Sequence, residues 1–258
     1  MKNSYDDKVR REIKWYQSSS TTSSLFRRVL NHSLILNPAR LDTAYHLAKE
    51  TMAETLISRL EGDRVQRLLV APCGTGIDYP YIKDLSEEVH GIDIAEAAVS
   101  LCPEEMNAQV ADILDAGFPD QHFDVIVSPL FFHHMREFGF ARFLNEFNRM
   151  LKPGGLLVIL EPSLWYPLNI VSRQIKRFGN PYDEVEDEGP FSPGLMLKEL
   201  KSSGYAKIDW RAATFCHPAF PVAFSRVFHN MMAPLSRSPL VKLFSWMIVY
   251  HAVKRDNQ

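Results

Sequence analysis

The stretch Arg67–Tyr79, RLLVAPCGTGIDY, restricts the fold more than any other part of this 258-residue chain. Its apolar run from Leu68 to Ala71 reads as a buried strand, which stops at Pro72 because proline has no N–H to give a neighbouring strand. Gly74 and Gly76 flank Thr75 in a loop that can take positive φ and let backbone approach a ligand closely. A helix can begin at Ile77 or Asp78. Loop N–H groups and a helix N-terminus then face one crevice at the carboxyl edge of a sheet, where open α/β folds bind ligands. A nucleotide-like cofactor is the expected occupant.

After Arg67 strands and helices alternate, which argues for βαβ units and a mainly parallel sheet. Strands are expected at 88–92, 108–110, 123–128, 156–160, 207–215 and 245–253, with helices over 95–101, 137–150 and from Pro193 to near Gly204. Lys152-Pro153-Gly154-Gly155 suits a type II turn ahead of the fifth strand. In front of the first strand, a short helix through Arg10–Tyr16, the tract SSSTTSS at 18–24 and a helix with apolar positions Leu41, Ala44, Leu47, Ala48, Met52, Leu56 and Leu60 read as a helical lid or flank. The expected organisation is residues 1–62 as that lid and 63–258 as the main domain, with a helical insertion at about 216–243.

A charge of −2 gives no strong attraction to nucleic acid, and no apolar run reaches the roughly 18 residues that cross a bilayer. The charged N-terminus lacks a secretory apolar region, and three widely spaced cysteines suit a reducing compartment, so a cytoplasmic protein is expected. Neither CxxC, HxxxH nor a carboxylate cluster argues for metal.

Asp93 stands 19 positions after Gly74, at the tip of the next strand, where a carboxylate can accept both hydroxyls of a ribose. Asp112 ends the third strand and could accept from an adenine amino group, with the Ile113 N–H beside it. Tyr79 occupies the third glycine position of a dinucleotide fingerprint, and no GK[ST] follows, so pyrophosphate is disfavoured. A ligand with ribose and adenine but no phosphate remains.

The loop PCGTG, GID with Asp93, AD with Asp112, HFDVIVSPLFFHH and LKPGG, in that order between Arg67 and Glu161, resemble the class I S-adenosylmethionine-dependent methyltransferases. The resemblance implies a Rossmann-like, seven-stranded α/β sheet with helices on both faces and an antiparallel last strand. It implies S-adenosylmethionine as cofactor, with Ala71, Pro72, Cys73, Gly74, Thr75 and Gly76 around the methionyl part. Asp93 would serve the ribose, Asp112 and Ile113 the adenine, Ser128, Pro129 and Leu130 would lie beside the sulfonium, and Ile94 would also contact the cofactor. Val70 and Pro72 depart from the usual acidic residue and glycine, so the methionine ammonium needs other acceptors.

His133 and His134 follow the fourth strand, where methyl and acceptor should meet, and are the candidate general bases. Cys73 at a helix N-terminus could carry a lowered pKa, although a small loop residue is the plainer reading. Tyr16, Glu161, Trp165 and Tyr166, with Phe220, Phe224, Phe228 and Met231 on one helical face, are expected around a small, fairly apolar acceptor. The acidic run DEVEDE reads as a solvated loop. A homodimer is compatible with the apolar C-terminal segment, and a non-catalytic cofactor- or partner-binding protein on the same fold is the alternative.

Overall fold

The apolar half of β1 (Val65–Val70), from Leu68 to Val70, is fully buried because this is an inner strand of a sheet covered on both faces. In the computed structural model, which describes residues 4–18, 38–168, 170, 189–218 and 220–256, β1 pairs in parallel with β2 (Ser86–Asp93) and β4 (Phe123–Pro129). Beyond them lie β3 (Asn107–Val110), β5 (Leu151–Pro162), β6 (Tyr205–Thr214) and β7 (Met247–Lys254), in the order β3-β2-β1-β4-β5-β7-β6. β7 runs antiparallel to both of its neighbours. This is the mixed seven-stranded sheet that the resemblance implies. The Ser/Thr tract from Ser19 onward and DEVEDE lie outside the described residues, as does the side chain of Tyr16.

Side chains alternate across the sheet, so Leu68 and Val70 serve one core and Leu69 the other. α2 (Pro38–Arg59) fills the first, with Ala44, Ala48, Met52 and Leu56 against Leu68, Val70, Val158 and Val249. α5 (Ala141–Met150) and α6 (Pro193–Ser202) fill the second, where Phe143, Phe147, Met196 and Leu200 meet Leu69, Ile126 and Ile159. α2 is therefore a layer of the main core. Of the segment read as a lid, α1 (Tyr5–Ser18) covers the carboxyl edge of the sheet from one side, and the first turns of α2 reach that edge at Leu130 from another.

Four local expectations are corrected. Lys152–Gly155 forms no turn separate from the strand: Phe123 pairs with Leu151 and Val125 with Leu156, so these residues make an irregularity inside β5 that Gly154 accommodates at φ +72°. The helix expected from residue 137 starts at Ala141, after Gly139 at φ +76° breaks the backbone. In the insertion, α7 covers Val222–Met232, with single turns at Ala233–Leu235 and Val241–Phe244, so Phe220 precedes the helix that was to carry it. The helix expected over 95–101 shrinks to α4 (Glu96–Val99), which follows the single-turn α3 (Tyr79–Ile82) in the chain.

Candidate active site

β1 ends beside a loop whose glycines adopt the expected conformation, with φ of +51° at Gly74 and +73° at Gly76. Gly76 serves packing more than ligand approach, since a Cβ there would sit 2.6 Å from Pro103 Cδ. The Gly74 N–H donates to Asp93 Oδ2 and the Ala95 N–H to Asp93 Oδ1, both at 2.9 Å. One carboxylate thus ties the loop after β1 to the start of α4. Burial raises the Asp93 pKa, opposed by the N–H bonds from Ala95, Gly74 and Ile94. A carboxylate has about four lone-pair sites, so Asp93 keeps acceptor capacity for a ligand.

Asp112 Oδ1 accepts the Leu114 N–H at 2.9 Å, capping the turn Ile113–Asp115, and accepts the Tyr5 phenol at 2.9 Å. A partly enclosed cavity of about 110 Å³ lies between these carboxylates and α1. Pro72, Asp93, Ile94, Asp112, Ile113 and Leu130 form its floor, while Tyr5, Lys8, Val9 and Glu12 form its roof. The fully buried Lys8 pairs with Glu12 at 2.8 Å. Ala71, Cys73, Gly74, Thr75, Gly76, Ser128 and Pro129 form the strand ends and loop behind that floor without lining it. The Ser128 hydroxyl is buried without a hydrogen-bond partner among the described residues. Two carboxylates, apolar walls and an unsatisfied hydroxyl two residues from Leu130 fit a nucleoside with a polar tail.

Leu130 follows β4 with φ +55°, a conformation that costs a non-glycine residue on the order of 1–3 kcal/mol. Glu161, fully buried at the end of β5, sets up the turn that follows it. Its carboxylate accepts the N–H groups of Phe131 at 2.7 Å, Phe132 at 2.5 Å and His133 at 3.3 Å. His133 Nδ1 lies 2.8 Å from Glu161 Oε2, so it carries the hydrogen and donates. Glu161 is thus a buried anchor, not the strand-tip group expected at the substrate.

Beyond Leu130 lies a second, open cavity of about 570 Å³ between α2, the segment Ile77–Tyr81 and α7. Leu130 lines both cavities. Inside the open one, His46 Nδ1 lies 2.5 Å from the Tyr81 hydroxyl and His46 Nε2 lies 2.9 Å from Glu50 Oε1. Glu50 can only accept, which places the histidine hydrogen on Nε2 and leaves Nδ1 to accept from Tyr81. Burial, then Asp78 and Glu50, raises the Tyr81 pKa and keeps it a phenol. Lys49 pairs at 3.0 Å with Asp78, both nearly buried, and so fixes the glycine loop to α2.

The two histidines expected as bases lie ring against ring, with centroids 4.0 Å apart. His134 lines the enclosed cavity, 3.6 Å from Glu12 of α1, and His133 lines neither cavity. The expected aromatic wall is not assembled. Tyr166 is buried, stacked on His217 and bonded to the Phe215 carbonyl, while Trp165 is exposed. Phe224 and Phe228 stack on each other, Phe220 meets both edge-on, and Phe224 and Met231 face outward. From α7, Val222 and Arg226 line the open cavity instead. Burial, Cys102 and Asp93 push the Cys73 thiol up, which overturns a lowered pKa.

His46, Glu50 and Tyr81 were missed in the sequence. A His–Glu pair four residues apart on a helix usually marks a solvated face, and nothing local joins residue 46 to residue 81.

Residues 69–159 match the family described as "Methyltransferase domain". A polyketide synthase-nonribosomal peptide synthetase of Talaromyces wortmannii is 34% identical over 101 residues, 37% of this chain and 3% of that protein. The 2-methyl-6-phytyl-1,4-hydroquinone methyltransferase of a Synechocystis species is 27% identical over 173 residues, 63% of this chain and 53% of its own. The chain thus spans a small fraction of the first relative and about half of the second. A S-adenosylmethionine-dependent methyltransferase from Thermotoga maritima superposes with a TM-score of 0.55 at 14% identity, covering 82% of this chain and 93% of that one, which shows the fold.

Proposed function

From a chain whose residues 69–159 form an S-adenosylmethionine-dependent methyltransferase domain, we propose an enzyme that methylates a small, partly apolar acceptor carrying an ionisable hydroxyl. The observation that carries this reading is Leu130, one residue in the wall of both cavities. The enclosed cavity suits the nucleoside, with Asp93 and Ile94 toward the ribose and Asp112 and Ile113 toward the adenine. Lys8 and Glu12 offer a cation and an anion to the amino-acid end. When bound, S-adenosylmethionine supplies an electrophilic sulfonium methyl and leaves as a neutral thioether. Ser128 to Leu130 would lie beside that sulfur, and the acceptor approaches from the open cavity.

The Tyr81–His46–Glu50 chain accounts for the acceptor's proton. The acceptor hydroxyl donates to the Tyr81 oxygen, and the Tyr81 hydrogen passes to His46 Nδ1, whose positive charge Glu50 balances. Alignment of nucleophile and methyl supplies the larger part of the acceleration, on the order of 7–11 kcal/mol. A relative named for a phytyl-bearing hydroquinone supports an aromatic ring with an apolar substituent as the acceptor class.

The test incubates the purified chain with S-adenosylmethionine and matched phenol, amine and carbon acceptors, reading S-adenosylhomocysteine. Turnover with phenols alone is expected. Calorimetric cofactor binding with no turnover on any acceptor would favour the non-catalytic alternative.

A further inference from the structure

α7 is turned inside out for a surface helix. Its one buried residue is Ser225, and its inward contacts are polar: the Ser225 carbonyl accepts from Cys216 Sγ at 2.9 Å, and His229 Nδ1 lies 3.2 Å from Thr214 Oγ1. Its outward face is apolar. Phe224 (48% exposed), Val227 (66%) and Met231 (62%) continue into Leu235, Leu240 (73%) and Phe244. A helix packed on a soluble core ordinarily presents the opposite arrangement. An exposed patch of this kind marks a contact with something else.

Charge identifies the occupant. From residue 211 to residue 244, the stretch that holds α7 and its turns, the chain has four basic residues, Arg211, Arg226, Arg237 and Lys242, and not one Asp or Glu; from α2, Glu54 pairs with Arg211 at 2.7 Å and Glu50 lies 3.7 Å from Arg226. Arg226 and Arg237 stand exposed beside the apolar face. A second copy docked through the same face would set these cations against their own counterparts, with no carboxylate from the segment to answer them. A bilayer surface rich in anionic lipid answers both features at once: apolar side chains enter the acyl boundary and cations meet the headgroups.

We infer that α7 and the turns after it dock the protein on an anionic membrane surface. Val222 and Arg226, which line the open cavity, place that surface at its mouth. An apolar acceptor can then pass from bilayer to cavity without crossing water. The docking stands on the patch alone; only the delivery rests on the function proposed above.

The test is sedimentation of the full chain with phosphatidylcholine vesicles and with vesicles of phosphatidylcholine and phosphatidylglycerol, without cofactor or acceptor. Binding to the anionic vesicles, weak binding to the neutral ones and loss of binding at high salt are expected. Arg237→Gln should weaken binding about fivefold. The combined Phe224→Ser, Val227→Ser and Met231→Ser variant should bind at least about tenfold more weakly with an unchanged melting temperature, because these side chains are already exposed. Equal binding to both vesicle types, or none, overturns the inference. So does a dimer, seen by light scattering, that the triple variant dissociates. Because no methyl acceptor is used, vesicle binding and turnover fail independently.

Discussion

The Tyr5 phenol donates to Asp112 Oδ1 at 2.9 Å, joining the first turn of α1 to the tip of β3 across 107 positions of sequence. The Tyr5 ring packs edge-on against Phe138, and the Arg142 guanidinium lies 4.3 Å from its centroid, so the phenol is held in place from three sides. α1 is fastened over the enclosed cavity by the carboxylate assigned to the adenine.

Tyr5→Phe keeps the ring packing and removes only that bond. One such bond is worth about 1 kcal/mol, so calorimetry should show cofactor affinity falling about fivefold with the melting temperature nearly unchanged. Tighter binding would instead mean that Tyr5 competes with the adenine for Asp112.

Asp93→Ala leaves two N–H groups, those of Gly74 and Ala95, without their acceptor. A loss of about 1–3 kcal/mol in denaturant unfolding and at least about tenfold in cofactor affinity is expected. Asp93→Asn retains the shape and should fold well while still binding cofactor more weakly. Unchanged affinity in that folded variant would remove Asp93 from the site.

Glu161→Ala deprives the buried N–H groups of Phe131 and Phe132 of their partner. Stability should fall by at least about 3 kcal/mol, read as a shifted urea midpoint. A direct role at the acceptor predicts the reverse pattern, lost turnover with an intact melting curve.

Tyr81→Phe and His46→Gln each break the proton path in the open cavity. For a hydroxyl acceptor, kcat should drop about 100-fold in either variant while cofactor affinity stays the same. Combining them should cost little more than one alone, since both lie on one path. An additive loss would separate their roles.

His217 and His251 are held neutral by burial, each pushed down from 6.5 to about 4. At His251, Arg59 and Arg211 act in the same direction and Asp209 opposes them. Between about pH 4 and 6.5 the unfolded chain binds protons at these positions that the folded chain does not. Stability therefore rises with pH across that window, by on the order of 2–3 kcal/mol for a residue buried as deeply as His251. Melting temperature should climb from pH 5 to pH 7, and His251→Leu should flatten the slope; an unchanged slope would exclude His251.

The periodic and positional signals in this chain are local, and local chemistry was enough to read them. Alternating apolar runs, a proline that stops β1, glycines at positive φ and carboxylates at successive strand tips determine the sheet and mark its carboxyl edge. The same holds for the apolar face of α2, because a 3.6-residue spacing is visible without knowing what it packs against. Tertiary structure alone decided which side chains of that edge face a cavity. Glu161 reads as a site carboxylate until the turn after β4 closes on it, and His46 reads as a surface residue until Tyr81, 35 positions away, arrives beside it. The phenylalanines 220, 224 and 228 share an apolar face on paper, yet burial depends on the partner, and Ser225 rather than Phe224 meets the core. Sequence spacing sets which residues share a face; only the packed fold sets which way that face points.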